Sequence, residues 1–184
     1  MPDTLRDPAE DSFARRLEVW TQDLLDASTE LGVRAIIRGE PFIVPTALFP
    51  FASLMIEAEG ETTENNEGRD TGPTLSLSYP GHVTIETLLN DAPAFARGQG
   101  VGGRKMVIPS HEACMTLANA ARNAMMAATT AAGLLGDAVV SASGKEKTSE
   151  LYVDEIRFAV SQRPDSVSNT GSFKFHITTR RREY

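Results

Sequence analysis

A chain of 184 residues with 41% apolar content is long enough for one domain with a full core. A formal charge of minus 7 and a pI near 5.0 argue against a dedicated nucleic-acid-binding surface, leaving short basic patches at Arg97 to Lys105 and at Arg180-Arg181-Arg182. The single cysteine, Cys114, allows no internal disulfide. The amino end is polar where a secretion signal would be apolar, and no apolar run is long enough to span a membrane, so a reducing, intracellular site of assembly is expected.

Residues 1–10 carry two prolines and several acids without periodicity and are expected to form a flexible arm ahead of a single domain over 11–184. Phe13, Leu17, Trp20, Leu24 and Leu31 then recur at helical spacing. With Asp11 or Ser12 as cap and Gly32 as stop, they predict a helix of about 20 residues. Val33 to Val44 reads as short extended pieces around a Gly39-Glu40-Pro41 turn. Beyond Pro45 and Pro50, Ala52, Leu54, Ile56 and Ala58 alternate with polar residues or Met55, as in a strand with one buried face.

Residues 59–73 hold almost no apolar side chain and read as a solvated loop. Leu75, Leu77, Tyr79, Val83 and Ile85 alternate around Pro80-Gly81, which predicts one bulged or bent strand. A second long loop, 90–107, carries the glycine-rich basic stretch. Ser110 to Ala132 is the clearest helix: Cys114, Leu117, Ala121, Met125 and Ala128 form a dry stripe opposite Thr116, Asn119, Asn123 and Thr130. Ser110 is placed to cap it and Gly133 to close it. Leu134 to Ser143 predicts a short strand, and Leu151 to Val160 another. After a turn region from Arg163 to Gly171, Phe173, Phe175, Ile177 and Thr179 alternate with polar residues, giving a last strand that pairs with its predecessor. The order predicts an α+β fold: a mostly antiparallel sheet, two helices packed on one face, and a closing C-terminal β-hairpin.

Candidate chemistry is sparse. Gly98-Gln-Gly100-Val-Gly102-Gly103 has dinucleotide-motif spacing but lacks the strand before it and the helix after it that such a motif needs. His111, Glu112 and Cys114 lack a further ligand set for a metal, so Cys114 reads as a small core residue and His111 as a surface one. A nucleophilic pair of Cys114 with His82 or His176 has no local signature. Glu57 with Glu59, and Asp154 with Glu155, read as solvated strand positions, and Arg180 to Arg182 as a tail beyond the last strand. No catalytic, metal or cofactor site is therefore expected. The expected contact element is the loop of Arg97, Gly98, Gly100, Gly102, Gly103, Arg104 and Lys105, turned toward a partner.

The layout itself carries a resemblance. An amino-terminal helix, the strand entry Leu48-Phe-Pro-Phe-Ala-Ser-Leu-Met-Ile-Glu-Ala-Glu59, Thr74 to Leu89, the helix from Ser110 and the alternating strand Ser172 to Thr179 together resemble the tail terminator (tail-completion) proteins of long-tailed bacteriophages. The resemblance covers most of residues 12–180 by order and pattern, with extra length in the loops 59–73 and 90–107. It implies a ring, commonly a hexamer, in the virion tail or neck, assembled in the host cytoplasm. Its partners would be copies of itself, the tail tube protein and a head-side connector or stopper, with DNA only as cargo through an acidic lumen. Other neck or head-completion proteins are the nearest alternatives. A small cytosolic enzyme or nucleotide-binding domain using residues 98–105, or a cellular partner-binding module, are readings of a different class.

Overall fold

In the computed structural model the described residues are 12–57, 61–65, 74–89, 110–130 and 133–182, with backbone alone for 61–65, 74 and 182. The expected amino-terminal arm and the loop at 90–107 lie outside them. The elements are α1 (Phe13–Asp26), β1 (Ala35–Arg38), β2 (Phe51–Ile56), β3 (Glu61–Asn65), β4 (Thr74–Leu88), α2 (Ser110–Ala127), β5 (Glu146–Val153), β6 (Arg157–Gln162) and β7 (Val167–Arg182). The fold is α+β, with two helices on one face of a sheet in which only β1 and β2 run parallel.

The sheet is built on β4 and β7, which pair antiparallel without a register break from Thr74↔Arg182 to Leu88↔Ser168. Each long strand carries two short ones end to end on its outer side: β2 and β3 along β4, β5 and β6 along β7. Strand β1 lies outside β2, and β6 closes a hairpin onto β7, the predicted C-terminal hairpin.

Pro80 and Gly81, expected to bulge or bend this strand, are instead absorbed by one continuous β4. Pro80 sits where β2 gives way to β3, and its carbonyl accepts from the Glu57 amide at 2.9 Å. The amide hydrogen it lacks would point into that seam, so no ladder bond is lost. Gly81 answers a different need. A Cβ there would stand 2.5 Å from the Phe175 ring and 2.8 Å from the Met55 carbonyl, because Phe175 lies across the bare backbone.

The core fills the space between sheet and helices. Phe173, Phe175 and Ile177 of β7 and Val83 and Ile85 of β4 meet Leu117, Ala121 and Met125 of α2, as the alternation and the helical stripe predict, and Leu17 and Leu25 of α1, where the helical spacing points to Leu24 in place of Leu25. Ala118 and Gly171 let α2 approach the sheet closely: a Cβ on Gly171 would stand 2.8 Å from that of Ala118.

Several expectations are corrected. Helix α1 stops at Asp26, where the Ala27 amide donates to the Asp23 carbonyl and the Ser28 amide turns back onto that of Leu25. Leu31 still reaches the core from the following turn. Ser110 does not stand outside α2 as a cap. It is the first helical residue, and its buried hydroxyl bonds Thr87, Asn169 and the Leu88 carbonyl, tying helix to sheet. Within the loop expected at 59–73, Glu61–Asn65 forms β3. Leu134 to Ser143 forms only isolated bridges to Glu150 and Lys147. The run from Leu151 divides between β5 and β6, with Asp154 and Glu155 in the connection rather than on strand faces. Strand β7 begins at Val167, so the turn shrinks to the residues after Gln162, and it continues through Arg180 to Arg182, which are strand and not tail.

Gly81→Ala is expected to destabilise the fold by about 1–3 kcal/mol, since neither the packed Phe175 ring nor the Met55 backbone can retreat. Urea denaturation of the variant against wild type reads this directly.

Candidate functional site

The sheet face away from the helices is polar over most of β4 and β7, where Ser78, His82, Lys174 and His176 point outward. At one end it carries a second small core. The segment between β1 and β2 folds over Phe51, so that Val44, Phe49 and Phe51 are buried against Ala35, Ile37 and Leu88. Beneath this cover lies a feature the sequence did not announce. Glu86, 2% exposed, is held by Arg163 from the turn between β6 and β7, through Nε at 3.2 Å and through a second, closer bond from Nη2. The Ser168 hydroxyl donates to the same carboxylate at 2.8 Å.

The guanidinium does more than neutralise Glu86. Its Nη1 donates to the Pro41 carbonyl and, at 3.5 Å, to that of Phe42, and its carbon lies 6.0 Å from the Phe51 ring centroid. One side chain thus joins the β6–β7 turn, β4 and the β1–β2 connection. Its own proton is held more firmly than usual, chiefly by the hydrogen bond to Glu86. The planar fork of arginine suits this task, since a lysine ammonium cannot serve a carboxylate edge and two carbonyls in one plane.

The segment so pinned presents Phe42 and Ile43 to solvent, 74% and 62% exposed, between the Arg163 anchor and buried Val44. Of the extended pieces expected between Val33 and Val44, β1 is the one strand that forms. A bidentate arginine and a buried valine hold two large apolar side chains outward on a fixed backbone. Other exposed apolar groups stand on regular elements: Phe158 and Val160 on β6, Val167 on β7, Tyr152 on β5 and Met126 on α2. Single exposed apolar side chains are ordinary on a protein surface, whereas Phe42 and Ile43 are adjacent and are the most exposed aromatic and one of the most exposed aliphatic groups among the described residues.

The residues singled out from sequence fall apart spatially. Arg97, Gly98, Gly100, Gly102, Gly103, Arg104 and Lys105 lie outside the described residues. Cys114 is fully buried under α2, its thiol near the Ile85 and Asn169 carbonyls, whereas His82 and His176 stand on the opposite sheet face. No Cys-His pair forms among them. His82 instead contacts Glu40 at 3.2 Å, and exposed His111 meets the edge of Phe158. Burial pushes the Cys114 thiol up from 9.0 to about 11. Among the described residues no cluster of three metal-ligating side chains occurs, and no helix is long and apolar enough to cross a membrane.

Two measurements check this arrangement. Arg163→Met strands a buried carboxylate and is expected to cost about 3–5 kcal/mol in chemical denaturation, with most of the loss recovered in the E86L/R163M double variant. In the same single variant chymotrypsin is expected to cut after Phe42 faster than in wild type. For Cys114, the folded-state value lies above the unfolded one, so the folded chain keeps a proton the unfolded chain gives up. Stability is therefore expected to fall as pH rises from about 9 to about 11, and less so in C114A.

The chain matches no protein-family model and no curated protein. Among solved structures it is similar to a chain of the "Virion of native gene transfer agent (GTA) particle", with a TM-score of 0.41 and 16% identity, covering 88% of this chain and 94% of that one.

Proposed function

We propose that the chain is a structural subunit of a virion tail: a tail terminator that assembles into a ring, caps the finished tail tube and meets the head-side connector. The observation that carries this reading is the set of large apolar side chains held in solvent by ordered elements, above all Phe42 and Ile43 on their pinned segment. An enzyme hides such groups in a pocket around its chemistry; a subunit displays them for a neighbour. The layout described from sequence, a helix-backed sheet with long polar insertions, supports the same reading.

Ring symmetry multiplies a few such contacts, so each interface needs only modest strength to hold a closed particle together. Six copies is the order the resemblance implies. The stretch Arg97 to Lys105 is assigned within this proposal to contact with the tube or the connector. The net charge of minus 7 suits a lumen through which DNA slides without adhering. Other neck or head-completion proteins share these requirements and are the nearest alternatives.

Sedimentation of the purified chain is expected to give a discrete species near six times the 19.9 kDa subunit mass. Electron microscopy with tail tubes present is expected to show it as a ring on one tube end. A lasting monomer that neither assembles nor binds tubes would sink the reading.

A further inference from the structure

The ring reading leaves open which surfaces join neighbouring copies, and the inference that follows rests on that reading. Two features at opposite edges of the sheet bear on it. Strand β1 is outermost on one side and β5 on the other. Phe42 and Ile43 project from the segment that follows β1. Beside β5 lies a groove of about 330 Å³ between the carboxyl end of α2 and the strand, lined by Met126, Thr129 and Thr130 on the helix side and Leu151, Tyr152 and Val153 on the strand side.

The two features complement one another in shape and polarity. The groove has a buried apolar floor, Leu151 at 4% exposure, and an exposed rim on the helix side, with Met126 at 45%, while the Tyr152 ring turns to the other sheet face beside His176. It is at the small end of ligand pockets, roughly 300–1,000 Å³, and mixed apolar and hydroxyl lining suits a side-chain knob with backbone around it. Methionine adapts to an inserted aromatic ring. The knob is already rigid, because Arg163 and Val44 fix the backbone on either side of it.

Charge distinguishes the possible occupants. The β1 edge carries exposed Arg34 and Arg38, and the connection after β5 carries exposed Asp154 and Glu155. Among the described residues none of the four forms an ion pair. Glu40 is engaged by His82 and Lys147 by Asp137, while Arg122 donates to the Asp154 carbonyl and Arg157 follows the connection. Placing two β1 edges together would oppose arginine with arginine. Bringing the β1 end of one copy to the groove of the next opposes arginine with the carboxylates of Asp154 and Glu155, beside the segment from Gly133 to Ser141 that covers the outer edge of β5.

We infer that the Phe42-Ile43 knob of one copy inserts into the groove between α2 and β5 of the next, a head-to-tail contact between identical chains. Because the joined surfaces differ, each copy keeps one free knob and one free groove until the chain of contacts closes on itself. Such an interface makes a ring without a two-fold axis at each joint, as a tube cap with distinct upper and lower faces requires.

The test uses the full chain in three forms: wild type, F42D/I43D with a spoiled knob, and M126R with a spoiled groove. All the substituted side chains are well exposed, so circular dichroism and thermal melts should match wild type. Sedimentation should show wild type assembled and each variant monomeric, with self-association weakened about 30-fold or more. Mixing the two variants is the discriminating step. Each retains one good half of the contact, so the mixture should give a one-to-one dimer and nothing larger. If both variants assemble like wild type, the inference is overturned while the ring reading stands. If the variants are monomeric but their mixture forms no dimer, the contact is not head-to-tail and the inference falls as well. A wild-type chain that stays monomeric at its highest soluble concentration, with no ring on tail tubes, removes both the ring and the contact.

Discussion

The ladder between β4 and β7 is the constraint on which every other element depends. Each residue of β4 is paired to β7, and each outer side of that ribbon is then divided between two short strands. A strand that changes partner midway must hide the change, and the chain does so chemically. Pro80 removes the one donor that would face the seam between β2 and β3, and Gly81 lets Phe175 cross the ribbon there. On the β7 side the connection through Asp154 fills the corresponding gap, its amide donating to the Lys174 carbonyl. The helices follow, because the alternate residues of this ribbon form the apolar floor on which α2 lies, and α1 packs beside α2 over β2 and β1.

The parts legible in the sequence are those whose stability comes from local periodicity. The dry stripe of α2 from Cys114 to Met125 and the alternation of β7 from Phe173 to Thr179 could be read residue by residue, since one face of each meets the core. Strand β3 could not. Glu-Thr-Thr-Glu-Asn has no apolar member, and the strand is identified by its backbone pairing along β4. Leu134 to Ser143 shows the reverse case, strand-forming residues that make single bridges to the outer edge of β5, because Gly136 at φ 61° breaks the extended backbone between them. The pinned knob was out of reach for a different reason. Glu86 and Arg163 stand 77 positions apart, and nothing local marks an acid in an alternating strand as the one that will be buried.

Exposed apolar side chains and a net charge of minus 7 are two sides of one problem. On the proposed ring reading, a subunit that recognises its copies needs sticky surface, yet it must remain dispersed until assembly. The charge supplies long-range repulsion in solution, which salt and close approach weaken, while the apolar contacts act only at contact distance. A surface of this kind associates where its shapes match and resists indiscriminate collapse elsewhere.

The buried ion pair then has an explanation that stability alone does not give. Taking Glu86 and Arg163 out of water costs several kcal/mol per charge, and an apolar pair of similar volume would serve the core about as well. An apolar pair would not, however, bind the Pro41 and Phe42 carbonyls. With those bonds absent, the backbone carrying Phe42 and Ile43 would sample many conformations, and any partner would have to meet the entropic cost of ordering it, on the order of 1–2 kcal/mol per residue. Arg163 moves that cost from the moment of binding to the moment of folding, where the whole domain shares it. The desolvated pair is therefore best understood as the device that makes the proposed contact segment stiff.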